Sequence, residues 1–522
     1  IKQRNSPAII TSRPSGFRRL GGKQDEWQIG ELSDFSLDQQ RSLSNIWFAH
    51  RIKAHDETCE RDEIERLANI ETDRFISELN RSKDLKDLAR VPLLLCLLIY
   101  HKVNNARLPQ NRFKAYDSLV EEIIQTHPQK RKVAASLPDS SIDFSDEEIK
   151  KIFSLVAYHM HEYNIEGTMD QMKAVSIVED YLKDAEKGLG ISQRESHRLS
   201  CDLLKIGENS IGILAMSSPT EIRFFHRVFQ EFLASYYLSS LSLEDRITII
   251  KNHCADPQWK DTILGLFYIT ACTEDVGKFI EAIKEKLEQA NTIEQYTIEL
   301  LLAEAAFGDF NCSPALARML ARETFSQVEL GLWAPHREDL LHCILDGLRS
   351  TKVKELGKQK IREWFPCRTY SRNILFDAMV NWPIDETIVE CMWRGLRDEE
   401  IGCQRAAARA LARIKKGDSN TGDKIESLAR RSTDLFIRVS AIEALLKGWQ
   451  EQEGLPKLLE IAGNSSILEL RLIAILGKIE YNNQTEEDLN ELIRLSSNGD
   501  RLLWRLDEWN KDIIDAFIRG WP

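Results

Sequence analysis

Over most of the chain the apolar positions recur every third or fourth residue, the period of helices with one buried face. The exceptions are short. Ala8-Ile9-Ile10-Thr11-Ser12-Arg13 is a continuous apolar run ending in two hydroxyls and an arginine. It predicts a strand buried on both faces of a parallel sheet. Trp27 to Leu32 alternates and predicts a second strand. The pattern turns helical at Ser36, where Ser36 and Gln39 form a capping box, and stays so to about His127. Pro128 to Ser141 is polar and proline-bounded, which predicts a linker. Three helix starts follow, each a hydroxyl residue with Glu or Gln three positions later: Ser145 with Glu148, Thr168 with Gln171, and Ser192 with Glu195. Ser210 to Met216 and Glu221 to Phe225 then predict a hairpin about the turn Ser217-Ser218-Pro219-Thr220. From Leu243 onward the pattern is helical almost throughout.

Three helices and then a hairpin is the element order of a winged helix. The helical remainder repeats: Arg372, Arg405, Arg438 and Arg471 stand 33 residues apart. Three positions after each comes Leu375, Ala408, Ala441 or Ala474; six after comes Ala378, Leu411, Ala444 or Gly477. A fixed period with small apolar residues at these offsets predicts stacked helices in close approach. The pattern resembles the short HEAT-like type, clearest in CQRAAARALARI and FIRVSAIEALLKG. Arg337 with Leu340 and Cys343 offers one further, degenerate copy.

Composition narrows the function. The chain is 43% hydrophobic and 29% charged, as folded domains are, with a net charge of −12. That balance argues against a general nucleic-acid binder. The longest apolar run, VPLLLCLLIY at Val91–Tyr100, is too short to span a bilayer, so no membrane segment is expected. Ten scattered cysteines without a C-x-x-C pair suit free thiols in a reducing cytoplasm. The chain opens at Ile1 rather than Met, from which we expect further sequence upstream.

The most informative stretch is Phe224-Phe225-His226-Arg227-Val228-Phe229-Gln230-Glu231-Phe232-Leu233-Ala234-Ser235. It resembles the F-x-H-x-x-x-Q-E-F-L-A-A motif that closes the winged-helix domain of NACHT proteins. IITSRP resembles that family's sensor strand, and LARVPLLLCLLI, centred on Pro92, resembles the proline motif of its first helical domain. Arg90 stands where the family pattern has glycine. Leu108 to Ile124 looks like the helix that follows. The three motifs occur in the family's order and cover roughly the first half of the chain.

The resemblance implies a mainly α fold. Residues 1–35 would be the end of a P-loop α/β sheet, 36–127 a helical domain, 128–142 a linker and 143–242 the winged helix. Residues 243–370 would hold degenerate helical repeats and 371–522 an α-solenoid of HEAT-like repeats. No G-x-x-x-x-G-K-[ST] occurs in the chain. The Walker A and Walker B elements would therefore lie upstream, and this part alone is not expected to hydrolyse ATP.

By the same resemblance Arg13 would sense the terminal phosphate, since a guanidinium fork suits phosphate oxygens. Pro92 would pack against adenine, and also suits the first position of a helix. His226 would contact the β-phosphate of ADP; a core histidine bonded to a backbone carbonyl is the plainer alternative. The whole protein would be a STAND-class ATP/ADP switch using magnesium. Its solenoid would sense a protein ligand and its self-association would carry the signal. In a bacterial source such proteins serve antiphage defence.

A repeat scaffold with a vestigial nucleotide-binding half is the second reading. A winged-helix DNA reader is the third. It would use Arg194, Arg198 and Lys205, but the wing turn carries no basic residue and a solvated helix face is expected instead. The repeated arginines are expected to pair with acids of neighbouring repeats, as Arg438 with Asp434. The tryptophans at 333, 364, 382, 393, 449, 504, 509 and 521 are expected mostly in the core.

Overall fold

In the computed structural model the described residues run from 33 to 497. Left aside are 56–57, 59, 81–82, 106, 110, 127–143, 164–166, 187, 219, 272, 309–312, 333–336, 365–371, 381, 383–385 and 482–484. The two strands expected at Ala8–Arg13 and Trp27–Leu32, the linker at 128–141, and Trp333, Trp504, Trp509 and Trp521 lie outside them. Among the described residues the fold is mainly helical, with one small sheet. They divide into two units, the first running to Glu294 and the second from Gln295 onward. The division falls inside the region expected to hold degenerate repeats.

The first unit opens with α1 (Leu37–His55) and α2 (Arg61–Leu79), which pack along each other. The Phe48 and Phe75 rings meet edge to face at 5.9 Å in their core. The Ser36–Gln39 capping box forms: Ser36 N–H donates to Gln39 Oε1 at 2.8 Å, and Gln39 N–H donates to Ser36 Oγ at 3.3 Å. After α3 (Lys83–Leu88) comes α4 (Pro92–Asn105), the VPLLLCLLIY run, which packs on α1 and on α5 (Arg112–Glu121). Asn111 caps α5, its Oδ1 accepting from Lys114 N–H at 2.8 Å.

The winged-helix order then follows as α6 (Asp146–Tyr163), α7 (Gln171–Lys183), α8 (Gln193–Ile206), β2 (Leu214–Ser218) and β3 (Glu221–Phe224). A strand absent from the sequence reading, β1 (Thr168–Asp170), stands between α6 and α7 and pairs antiparallel with β3, giving the order β1-β3-β2. This corrects one helix start. Thr168 is paired with Arg223 in the sheet, and the cap of α7 is Asp170, whose carboxylate accepts from Met172 and Lys173 N–H. Strand pairing has overridden a local capping pattern. Ser145 and Glu148 do form their box. Ser192 stands at the cap position of α8, but its side chain makes no capping bond.

Next come α9 (Arg227–Ser240), α10 (Leu243–His253), α11 (Lys260–Ile269) and α12 (Asp275–Leu287). α9 is the hub: it packs on α5, α6 and α11. Ser235 Oγ donates to Thr262 O at 2.7 Å, and a Cβ on Gly265 would come within 2.3 Å of that hydroxyl. Only glycine lets α11 approach α9 this closely.

The second unit begins in α13 (Thr292–Phe307) and continues through α14 (Pro314–Val328), α15 (Glu338–Leu348) and α16 (Lys354–Trp364). It ends with α17 (Arg372–Met379), α18 (Glu386–Gly395), α19 (Ile401–Ile414), α20 (Ser419–Arg431), α21 (Leu435–Gly448), α22 (Leu455–Gly463), α23 (Leu468–Glu480) and α24 (Glu486–Ser497). Helices α15, α17, α19, α21 and α23 stack in a row, and each packs beside a partner helix. The repeat register is the one read from the sequence. Leu375, Ala408, Ala441 and Ala474 are all buried at the helix contacts, as are Ala378, Leu411, Ala444 and Gly477. Leu340 is buried too, so α15 joins the stack as the degenerate copy.

The arginines do not act alike. Arg405 is fully buried and its Nε donates to Glu443 Oε2 at 2.9 Å, an acid of the next repeat. Arg471 pairs with Glu491 at 3.1 Å. Arg438 does not pair with Asp434, whose carboxylate instead caps α21 by accepting from Phe436 and Ile437 N–H. The buried Arg438 Nε lacks a hydrogen-bond partner. The side chain of Arg372 lies outside the described residues. Trp364, Trp382 and Trp449 are buried and Trp393 is half-buried, and the described cysteines are free thiols.

Candidate functional site

Of the three residues singled out by sequence, Arg13 lies outside the described residues. Pro92 is the first residue of α4 and is exposed. Its ring suits that position, where no intrahelical N–H bond is lost. α4 meets α5, and α5 meets α9, so Pro92 and His226 begin helices in successive layers rather than one helix pair.

His226 is the N-cap of α9, with extended backbone (φ −142°, ψ 145°). The chain reaches it directly from β3, and Phe225 N–H donates to Ile213 O at 2.9 Å, so the wing fixes where α9 starts. Val228 N–H donates to His226 Nδ1 at 3.3 Å. For Nδ1 to accept, the ring proton must sit on Nε2. The cap therefore selects the tautomer whose donor is Nε2. The ring is half-buried and stands at the positive end of a 14-residue helix. This backbone bond has Nδ1 accepting from an N–H, which is not the carbonyl bond expected of a core histidine, and it leaves Nε2 as the donor nitrogen.

Directly beneath lies a cluster of charges that sequence reasoning missed. Arg227 Nε donates to Glu231 Oε1 at 2.7 Å, one turn along α9. Arg112, at the start of α5, pairs with Asp261 on α11 at 3.0 Å. Glu231 is buried, which pushes its carboxyl up to about 7; the charge of Asp261 adds to the rise, and Arg227 and Arg112 oppose it. His161, on α6, is pushed down to about 4 by burial and then by the charge of Arg227, and its Nε2 lies 3.2 Å from Thr262 Oγ1. Four helices thus send titratable groups to one point. The Q-E pair of the motif was visible in the sequence; its partners on α5 and α11 are remote in the chain, and no local pattern announces them.

The rest of the motif holds α9 in place. Gln230 is buried, and its Oε1 would lie 3.1 Å from a Cβ on Gly167, which has φ +67°. Tyr236 bonds Glu147, and the Lys150 ammonium lies 4.4 Å from its ring centre. Lys150 is itself buried and reaches Asp117 at 3.2 Å. Arg194, Arg198 and Lys205 on α8 are exposed, and Lys205 stands 3.7 Å from Asp202. Asp398, Glu400 and Cys403 bring three possible metal donors within 4.8 Å of one another, though Cys403 Sγ and Glu400 already face each other at 3.5 Å. Among the described residues no helix is long and apolar enough to cross a membrane. No model of a known protein family matches the chain, and no curated protein matches it.

Proposed function

We propose that the chain is the regulatory part of a nucleotide-dependent switch of the NACHT class. The observation that carries this reading is the position of His226. It caps α9 immediately after the wing, and its backbone bond makes Nε2 the donor nitrogen. In the resting state the Nε2–H donates to the β-phosphate of ADP, closing the winged helix over the nucleotide. Arg13 reads the terminal phosphate when ATP replaces ADP, and Pro92 lines the adenine slot. Magnesium and the phosphate-cradling loop would be supplied by a segment outside this sequence. When bound, the nucleotide supplies a change of charge at one phosphate; this chain's part is to register that change and release the lid. The helical stack senses a protein ligand, release exposes surfaces for self-association, and the setting is cytoplasmic. In a bacterial source this serves antiphage defence.

The test is the ADP dissociation rate of the longer protein with its P-loop. His226→Ala should speed ADP release about tenfold to a hundredfold, the worth of one hydrogen bond to a charged group. It should also raise signalling without ligand. An unchanged release rate, with activity falling in step with the amount of folded protein, would leave His226 a cap and nothing more.

A further inference from the structure

The second unit holds a cavity of about 400 Å³ lined by Arg409, Ala412 and Arg413 of α19, Lys416 just beyond it, and Lys447 of α21. Four of these five residues are cations. The concavity has a structural cause. α19 and α21 cross where Ala412 faces Gly448, and a Cβ on Gly448 would lie 3.0 Å from the Ala412 backbone. Small residues at the crossing leave the long side chains of both helices to stand around an open centre. The rim is held as well. Gly417 turns with φ +75° and its N–H donates to Gly448 O at 3.2 Å. Trp449 Nε1–H donates to Asp418 O at 2.9 Å.

Charge in the cavity is one-sided. Glu443 is the acid beneath it, fully occupied by the buried Arg405 at 2.9 Å and by Lys447 at 3.0 Å, with Arg409 at 3.8 Å. Burial works against its ionisation, but Arg405, Lys447 and Arg409 together hold it below the usual carboxylate range, so it stays charged. Arg413 and Lys416 are exposed and have no acid within 4.0 Å among the described residues. Asp418, nearby in sequence, has its carboxylate committed to capping α20 through Thr421 N–H. Cations at helix C-termini are ordinary, and one per terminus satisfies the dipole. Here three cations, Arg405, Lys447 and Arg409, meet one carboxylate, and Arg413 and Lys416 add two further positive charges at the lining, in a chain whose net charge is −12.

We infer that this cavity binds a small polyanion built of linked phosphates, such as a polyphosphate or the phosphate chain of a nucleotide. Two guanidinium forks suit the paired oxygens of phosphates, and two ammoniums supply further charge without demanding geometry. The size of the cavity suits a small molecule and not a folded partner. The site lies in the stacked helices and is independent of the His226 reading.

The test titrates inorganic tripolyphosphate, and separately ATP, into the chain by calorimetry at physiological salt. Saturable binding with one site per chain is expected, weakening as salt rises. Arg413→Glu with Lys416→Glu reverses two exposed charges without touching the core. It should weaken binding by about tenfold or more, since charge-assisted bonds are lost and repulsion replaces them, while the melting temperature without ligand stays put. His226→Ala should leave tripolyphosphate binding unchanged, which separates this site from the switch. Equal affinities for the two probes assign the phosphate chain; tighter ATP assigns a nucleotide. The proposal is overturned by absence of saturable binding of either probe, or by binding that the charge reversal leaves within about twofold.

Discussion

At Glu231 burial and charge pull in opposite directions, and the outcome is measurable. A carboxyl raised from 4.5 to about 7 favours the folded state most when protonated. Its contribution is fully present below pH 4.5 and is lost as pH rises through about 7. His161 has the reverse sign. Lowered to about 4 from 6.5, it contributes above pH 6.5 and loses that contribution as pH falls towards 4. Glu231→Gln keeps the shape and removes the titration. Relative to the parent it should gain on the order of 2–3 kcal/mol between acid and mildly alkaline pH. Urea midpoints followed against pH check this, and a parallel offset at every pH would show that Glu231 does not titrate on folding. The residue scale also marks the reach of sequence reading. Ser36–Gln39 and Ser145–Glu148 were legible because a cap is satisfied within four residues. Thr168 was misread because its partner, Arg223, comes from another element, and the Arg112–Asp261 pair left no trace for the same reason.

At the scale of the helix, legibility comes from repetition. One buried alanine in a helix says little; Ala408, Ala441 and Ala474 at a fixed spacing say that backbones approach there, and all three are buried. Leucine at any of the three should cost on the order of 1–3 kcal/mol by overpacking, read as a lower denaturant midpoint. Three neutral results would mean that the helices move apart at no cost. Gly347 gives a sharper case. A Cβ there would lie 2.1 Å from the Phe307 Cβ and 2.5 Å from its carbonyl oxygen. Backbone cannot rotate away as a flexible side chain can, so Gly347→Ala should lower the melting temperature despite alanine's better helix propensity. Unchanged melting would show α15 free to shift against α13. The pairing of the repeated arginines was half legible. A period places them at one register, but which acid each meets depends on the neighbouring helix, and so Arg405 found Glu443 while Asp434 became a cap.

Over the whole molecule, the helical row and the winged-helix order were readable, while β1 and the division at Glu294 were not. Both depend on contacts between segments far apart in sequence. The row of α15, α17, α19, α21 and α23 has a further consequence, because in such a stack each layer touches only its neighbours. Stability is then a chain of local couplings, and breaking the middle should differ from weakening an end. Arg405 and Glu443 join α19 to α21 in the interior of that chain. Glu443→Gln leaves a guanidinium buried without its counter-charge, a loss of about 3–5 kcal/mol when a buried pair is broken. The layers on either side keep their own contacts, so they need not unfold with the joint. Urea unfolding should therefore broaden, with a lower apparent m-value, and amide exchange should quicken first in α19 and α21. Arg471→Gln, near the end of the row, should shift the midpoint with little change in slope. If Glu443→Gln moves the whole transition at constant slope, the stack is one cooperative block, and the pair is an ordinary core contact instead of the joint on which the row depends.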